Sequence, residues 1–568
     1  MLPNQSLIEH IYNQNSDYNS PESALNQANA LDTLSTDIYS DDKRFIYELL
    51  QNADDASCTS GILDLQIDLF SRYIAISHRG DPFNEIDIES ICSIGDGNKQ
   101  GDENKTGFKG IGFKSVFSHS NYVIIKSGQY CFRFDEKYWN DKWFNKWGEE
   151  KNWKAQRAQK NKSSELKMPW QIIPISTDLP LKFNYILEAG YKVSTIIKLN
   201  DGLKLEGDLK KLFSNTQILL FLRSPEIRLR FTRKGKTIFK IEKIKKEGTV
   251  QLKKNEVAQS NWLLRAFEFE IDSYVKEKIK HDIRIPKKLR EASRTEISLA
   301  IQLENNSIKK VEKHNRLIFT YLPTSVNFDF PFLINASFLT DAGRQHLHED
   351  WIWNQWLFRQ IPIKLFTWIS ELASKESLFR TQFFAIIPSK LSGLNNLRKS
   401  FNIGFDEAIK SIAFIPNISG ELLKVKEALF DKSNLSSFIK KKTIAQYINQ
   451  KKDTTFSKRS FIPDFKYPGV LKRLGVHFFE FEDLIEFFIS DTFRERHKLD
   501  ENFDLIEFLH KQSSSIAEGE VPQWNSNLRL LPFIFDEDEI LVNPKLIYFL
   551  SLEHREELQT EINIIHTE

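Results

Sequence analysis

Cysteine is scarce. The chain of 568 residues has three, Cys58, Cys92 and Cys131, far apart and without a C-x-x-C pair. Neither a disulfide scaffold nor a zinc ribbon is expected, and a reducing cytoplasm is the compartment that fits. Long hydrophobic runs are missing too: no stretch approaches the roughly 18 uncharged apolar residues that a membrane helix needs, so no membrane partner is expected. The opening MLPNQSLIEHIYNQN has no basic segment leading into an apolar core, and no secretory leader is expected. An excess of one charge is also lacking. Lys+Arg number 79 and Asp+Glu 77, a formal net charge of +2, so bulk electrostatics argues for neither nucleic acid nor membrane. What is present suffices for several apolar cores. Hydrophobic residues are 40% and charged residues 27%, as in globular proteins, and the length suggests roughly three or four domains.

The charge is distributed unevenly. Residues 228–254 carry eleven Lys and Arg, with only Glu242 and Glu247 as acids. This is either the solvated face of a hairpin or a strip that meets a phosphate backbone or an acidic partner. A second basic run surrounds Lys276–Arg294.

Along the chain, residues 1–60 read as mostly helical, with a helix starting at Ser20. In KRFIYELLQNADDAS, Phe45, Leu49, Leu50 and Ala53 recur at helical spacing. ILDLQIDLF, YIAISH, YVIIKS, YCFRFD and KVSTIIKLN read as strands, residues 81–94 as a helix and 96–112 as a loop. Residues 138–170 hold five tryptophans among Lys and Asn without clear period, so a long polar insertion or lid is expected there. After about residue 205, LKKLFSNTQILLFLR reads as helix-like, a hairpin turns at Lys234-Gly235 and TEISLAIQL alternates as a strand. Further helices are expected over 361–374, 436–450 and 482–490. IAFIPNISGELLKVKEALF resembles LPFIFDEDEILVNPKLIYF, a possible internal duplication. The fold class is α+β, in three parts: 1–205, 206–365 and a mixed region 366–568.

Four elements carry chemistry. Glu48 and Asn52 stand four residues apart on a helix and project from one face. Read alone, they fit the polar side of any amphipathic helix. With Asp55, they also supply the few oxygens that Mg²⁺ takes when phosphates complete its shell. TGFKGIGFKSVF places Gly107, Gly110 and Gly112 before a helix, where free N–H groups donate to an anion and Lys109, Lys114 and Lys99 add charge. The segment is not a P-loop, because G-x-x-x-x-G-K-[ST] is absent. An EF-hand starting at Asp96 fails, because its twelfth position is Gly107. AISHRGDPF ends a strand at His78 with Gly80 after it, and Ser194-Thr195 head a late strand.

In this order, the four elements resemble the Bergerat (GHKL) ATP-binding fold shared by the heat-shock chaperone class, MutL, type II topoisomerases and histidine kinases. Within that superfamily, FIYELLQNADDA, IESICSIGDGNK with TGFKGIGFKSVF, and LPTSVNFDFPFLINASFLTDAGRQHLHEDWIWNQWLF look like the sacsin and NO VEIN-like branch, over about residues 25–365. The resemblance implies an ATP-binding sandwich over 1–205, a mixed sheet covered by helices, and a transducer-like α+β domain over 206–365. Glu48 then corresponds to the general base for the attacking water and Asn52 to the Mg²⁺ ligand. Asp55 and Ala56 would line the nucleoside wall, together with His78 and Gly80. Gly107, Lys109, Gly110, Ile111, Gly112 and Phe113 would belong to the loop over the triphosphate, beside Lys99. Thr195 would help hold the adenine, and Arg344 would reach the γ-phosphate. One departure stands out: adenine-selective members carry Asp where this chain has His78, and a neutral imidazole accepts a single hydrogen bond. His78 can equally be a satisfied strand-end histidine, and Arg344 can pair with Asp341, Glu349 or Asp350.

The resemblance implies a Mg²⁺-dependent ATPase acting as a conformational switch, with ATP and ADP as ligands and a second copy or another protein as partner. Three alternatives remain: an ATPase sensor in prokaryotic antiviral defence that binds nucleic acid through 228–254 and works with a nuclease, a non-hydrolysing nucleotide-binding scaffold, and a sacsin-like holdase chaperone.

Overall fold

The alternating ILDLQIDL and the adjacent YIAISH form the antiparallel strands β1 (Ile62–Leu69) and β2 (Tyr73–His78) in the computed structural model of the chain. The structure describes residues 3–37, 44–57, 59–93, 112–147, 151–163, 165–199, 202–246, 248–341, 345–374, 379–417, 419–432, 439, 443, 447, 460–463, 465–479, 481–514, 521–548 and 563–564. Two compact units emerge, Met1–Ile361 with Leu391–Asn402, and Pro362–Lys390 with Ile403–Glu568.

The first unit is built on a mixed 15-stranded sheet. Its further strands are β3 (Tyr122–Ser127), β4 (Tyr130–Asp135), β5 (Ile175–Ser176), β6 (Val193–Lys198), β7 (Glu226–Arg233), β8 (Lys236–Lys246), β9 (Thr249–Lys254), β10 (Val257–Glu270), β11 (Arg294–Glu304), β12 (Ser307–Lys309), β13 (Ile318–Thr320), β14 (Leu322–Pro323) and β15 (Leu333–Ala336). Their order is β14-β13-β15-β11-β10-β9-β8-β7-β1-β2-β6-β3-β4-β5, with β12 beside β11. The β1–β7 and β13–β15 pairs are parallel and the others antiparallel. The architecture is α+β, as its alternating and helical segments predict.

Alternation decides which face each side chain serves. Leu63, Leu65, Ile67 and Leu69 of β1 are buried in one cluster with Ile8 and Ile11 of the Pro3–Ser16 helix, Ala24 and Leu31 of the Pro21–Asp37 helix, and Phe45, Ile46, Leu49, Leu50 and Ala53 of the Arg44–Asp55 helix. Ala75, Ile124, Phe183, Ile186, Tyr191 and Ile196 form a smaller cluster on the opposite face. The β7–β8 hairpin turns at Lys234 and Gly235, with φ of 49° and 78°, the left-handed pair that matches strand twist.

The expected polar insertion is overturned. Trp139, Trp143 and Trp147 lie on the Glu136–Trp147 helix, are 2%, 2% and 8% exposed, and belong to the main core; Trp170 is buried in it too. Their i, i+4, i+8 spacing is a helix face written in aromatics, and the surrounding Lys and Asn form the other side. The helix-like 205–223 segment also divides: a Gly202–Leu212 helix is followed by a 3₁₀ turn, Thr216–Leu219, capped by Asn215 Oδ1 accepting Gln217 N–H at 3.0 Å.

In the second unit the two similar segments fold alike. Ile415–Pro416 pairs with Leu422–Leu423, and Ile534–Phe535 with Leu541–Val542. In one turn Asn417 Oδ1 accepts the Glu421 N–H at 2.8 Å; in the other, Asp536 Oδ1 accepts the Ile540 N–H at 2.8 Å. Gly420 and Glu539, at matching positions, both have positive φ, 95° and 55°. A 3₁₀ turn follows each hairpin, Val425–Glu427 and Pro544–Leu546, and then a strand with parallel neighbours. The helix expected over 361–374 starts earlier, running from Ile352 to Ser374, and the one over 482–490 is Phe481–Ile489. The helix expected over 436–450 falls almost wholly outside the described residues.

Candidate functional site

The Arg44–Asp55 helix sets the geometry. Its apolar face fills the core, which leaves Glu48, Asn52 and Asp55 along one side; Glu48 is 9% exposed and the other two are half-buried. Opposite Glu48 lies Gly112, the first residue of the 3₁₀ turn Gly112–Ser118. A Cβ on Gly112 would overlap Glu48 Oε2 and stand 3.0 Å from Glu48 Cδ. Only glycine lets this backbone come so close to the carboxylate. The turn is fixed from behind by Phe117, edge-on to Phe134 at 5.3 Å and to Trp170 at 5.0 Å, and by Phe45 against His119 at 5.3 Å.

The strand-end elements meet the other end of the helix. A Cβ on Gly80 would stand 2.7 Å from Ala56 O and 2.8 Å from Ser57 Oγ, and Asp81 N–H donates to Ala56 O at 2.8 Å. His78 ends β2; its Nδ1 accepts the Gly80 N–H at 3.2 Å. Burial pushes its pKa down to about 4, with Asp81 opposing, so the ring is neutral. In register, Ile76 faces Thr195 and Leu65 faces His78, so His78 and Thr195 occupy the face that the helices cover. Both are buried. The structure therefore sets Gly112 against Glu48 at one end of the helix and Gly80 against Ala56 and Ser57 at the other, with His78 and Thr195 on the helix-covered face of the sheet. Phe113 lies edge-on to Phe117 at 5.9 Å. Lys99, Gly107, Lys109, Gly110, Ile111 and Arg344 lie outside the described residues. Near Arg344, Asp341 Oδ1 accepts the Gln345 N–H at 2.7 Å and Asp350 Oδ1 accepts Asn396 Nδ2 at 2.9 Å.

Lys114 departs from its expected part in anion binding. Its ammonium is buried, donating to Ile91 O and to Gln171 O at 3.1 Å, and burial lowers its pKa to about 8 despite the nearby Cys92 thiol. It is a structural lysine behind the turn.

Asp54 was passed over in the sequence because its neighbour Asp55 faces the site. Asp54 is 2% exposed and accepts backbone N–H groups of Arg223 at 2.6 Å and Ser224 at 3.0 Å, just before β7. Lys243 of β8 donates to Leu222 O beside this clasp; burial lowers its pKa to about 8 and Asp54 opposes that shift. The only signal was the doublet in N-A-D-D-A.

The basic strip is partly spent. Arg228 pairs with Glu226 at 2.5 Å, Arg230 with Asp64 at 2.9 Å, Arg233 with Glu206 at 2.9 Å and Lys240 with Glu256 at 3.6 Å, while Lys243 is buried. Five of the eleven cations are thus engaged, and the exposed Lys234 and Lys236 sit at the opposite end of β8 from Lys245 and Lys246. Among the described residues no group of three or more His, Cys, Asp or Glu is placed to hold a metal, and no helix is long and apolar enough to cross a membrane.

Comparison with known proteins bears on part of these segments, from β2 onward. The sacsin domain family matches residues 74–234, from β2 through β7. Protein NO VEIN of Arabidopsis thaliana is 24% identical over 342 residues, covering 59% of this chain and 11% of that protein. Sacsin of Homo sapiens is 33% identical over 103 residues, covering 16% of this chain and 2% of sacsin. The chain thus spans about a tenth of NO VEIN and a fiftieth of sacsin, and its residues 74–234 are similar to the sacsin domain.

Proposed function

We propose that the first unit is a GHKL-type ATPase module that binds ATP with Mg²⁺, hydrolyses it and uses the nucleotide state as a conformational switch of the sacsin and heat-shock-chaperone type. The observation that carries this reading is the buried Glu48 carboxylate lying against the side-chain-free backbone of Gly112. A carboxylate beside a glycine at the start of a helical turn is where a general base and an anion-binding backbone are needed together.

The residues present fit the ligands. Side-chain-free backbone stands against the Glu48 helix at both ends, Gly112 beside Glu48 and Gly80 beside Ala56 and Ser57, and backbone without a side chain is what a phosphate or nucleoside can approach closely. Asn52 would hold Mg²⁺, whose part is to neutralise charge on the phosphates. Glu48 accepts the proton of the attacking water. Asp55, Ala56, His78, Gly80 and Thr195 would line the nucleoside end, and the neutral His78 ring, with Nδ1 already accepting the Gly80 N–H, leaves Nε2 as its available polar atom. The Asp54 clasp joins this helix to the backbone entering β7, so a helix displaced by ligand moves the second half of the sheet. Association with a second copy or another protein would read out that motion. Nucleic-acid binding through 228–254 draws less support, because five of its eleven cations are already engaged.

The test is phosphate release from Mg²⁺·ATP by wild type and Glu48→Ala. Release that falls about 10²-fold or more supports the assignment. Equal release by both proteins removes Glu48 from the mechanism.

A further inference from the structure

Thr320 of β13 pairs with Leu322 of β14, so Tyr321 alone makes the turn between them, and it does so at a φ of 66°. A left-handed backbone is uncommon for a bulky side chain and persists only where the surroundings over-determine it. The contacts here do that. The Tyr321 N–H donates to Asn335 Oδ1 at 2.6 Å. Thr324, just past the turn, donates to Ile318 O through its N–H at 2.9 Å and its hydroxyl at 2.8 Å. The Arg223 guanidinium lies 5.7 Å over the Tyr321 ring.

These contacts lead to opposite sides of the turn. Asn335 is buried on β15, whose neighbours are β13 and β11. Arg223 leads back to the Glu48 helix, because Asp54 Oδ2 accepts its N–H at 2.6 Å. Phe221, on the same segment, packs its ring 4.9 Å from that of Phe319 on β13. Burial raises the pKa of the Tyr321 phenol; Arg223 opposes the rise, and the carboxylates of Glu296 on β11 and Asp55 at the end of the helix add to it. The contacts thus run from the end of the Arg44–Asp55 helix, through Arg223 and Tyr321, to β15. A turn held in an unfavoured backbone from both sides is an element whose balance a displacement on either side shifts.

We propose that Tyr321 is the coupling joint of the first unit: with Arg223 seated on its ring, it transmits occupancy of the Glu48-helix site to β13, β14 and β15. By linkage, a partner bound at that end of the sheet then changes nucleotide affinity. The proposal rests on the nucleotide reading and adds to it the residues through which the site is regulated.

The test is amide hydrogen exchange over residues 318–336 of the full chain, with and without Mg²⁺·ATP, beside a direct measurement of ATP binding. In wild type, the nucleotide should change exchange there by about fivefold or more beyond its effect on β3 and β4. Tyr321→Phe keeps the ring under Arg223 and should keep the response. Tyr321→Gly suits the left-handed backbone but removes the ring, and Arg223→Met removes the guanidinium while keeping the N–H that Asp54 holds. Both should bind Mg²⁺·ATP and lose the response. A full response in both variants overturns the proposal, as does wild type that binds Mg²⁺·ATP without any response at 318–336. Loss of ATP binding in both variants also overturns it, since that makes these residues part of the ligand site itself. Wild type that binds no ATP removes the nucleotide reading, and this proposal with it.

Discussion

Two helices of the first unit pack on the same core and spend their remaining surface differently. The Arg44–Asp55 helix buries Phe45, Ile46, Leu49, Leu50 and Ala53 and packs Glu48 against the glycine backbone of Gly112; the Glu136–Trp147 helix buries three tryptophans. The first gives up packing volume at Gly112 to bring backbone against a carboxylate, while the second fills its face with the largest side chains available. The difference separates substitutions that should cost activity from those that should cost stability.

The largest effect is expected on the first helix. Glu48→Gln keeps the volume and removes the base, so phosphate release should fall by about 10²–10⁴-fold with little change in melting temperature. The reciprocal change is Trp143→Ala, which empties a buried ring site and should cost about 3–5 kcal/mol in urea unfolding while leaving nucleotide affinity in the surviving folded protein unchanged. If Trp143→Ala lowered turnover per folded molecule as much as Glu48→Gln, the two helices would not be separable in this way.

Asp54→Ala should fall between these classes. It strips two buried backbone N–H groups of their acceptor and leaves Lys243 without its nearby carboxylate, a loss of about 3 kcal/mol. A melting temperature equal to wild type would show that the clasp is dispensable.

The smallest effect concerns pH. His78 has a folded pKa of about 4 against an ordinary 6.5, so the unfolded chain takes up its proton first as pH falls. Its share of the stability is therefore constant above about pH 6.5 and is lost between there and pH 4, about 2 kcal/mol by pH 5. His78→Asn should flatten that segment of a urea-midpoint profile; an unchanged slope would assign the loss to other groups.

What could be read beforehand follows from how local each signal is. The Glu48 helix shows in its apolar spacing, the β7–β8 turn in Lys234-Gly235, and the paired hairpins of the second unit in two similar runs of sequence, because each rests on neighbouring residues. Trp139, Trp143 and Trp147 were missed although their spacing is helical, because the Lys and Asn around them lower the mean hydropathy of the stretch. Asp54 was opaque for a different reason: its hydrogen-bond partners are backbone groups of Arg223 and Ser224, whose side chains carry no mark of the bond. The burial of Lys114 and Lys243 was likewise hidden, since carbonyl oxygens satisfy them and any residue supplies a carbonyl.

The central claim is that Glu48, Asn52 and the glycine backbone of Gly112 form a nucleotide site, and thermal unfolding with millimolar ATP or ADP, each with and without Mg²⁺, tests it most directly. A ligand that binds only the folded chain adds about 2.7 kcal/mol at one hundred times its dissociation constant. The account predicts a higher melting temperature with Mg²⁺·ATP, smaller without the metal. Identical melting under all of these conditions would contradict it.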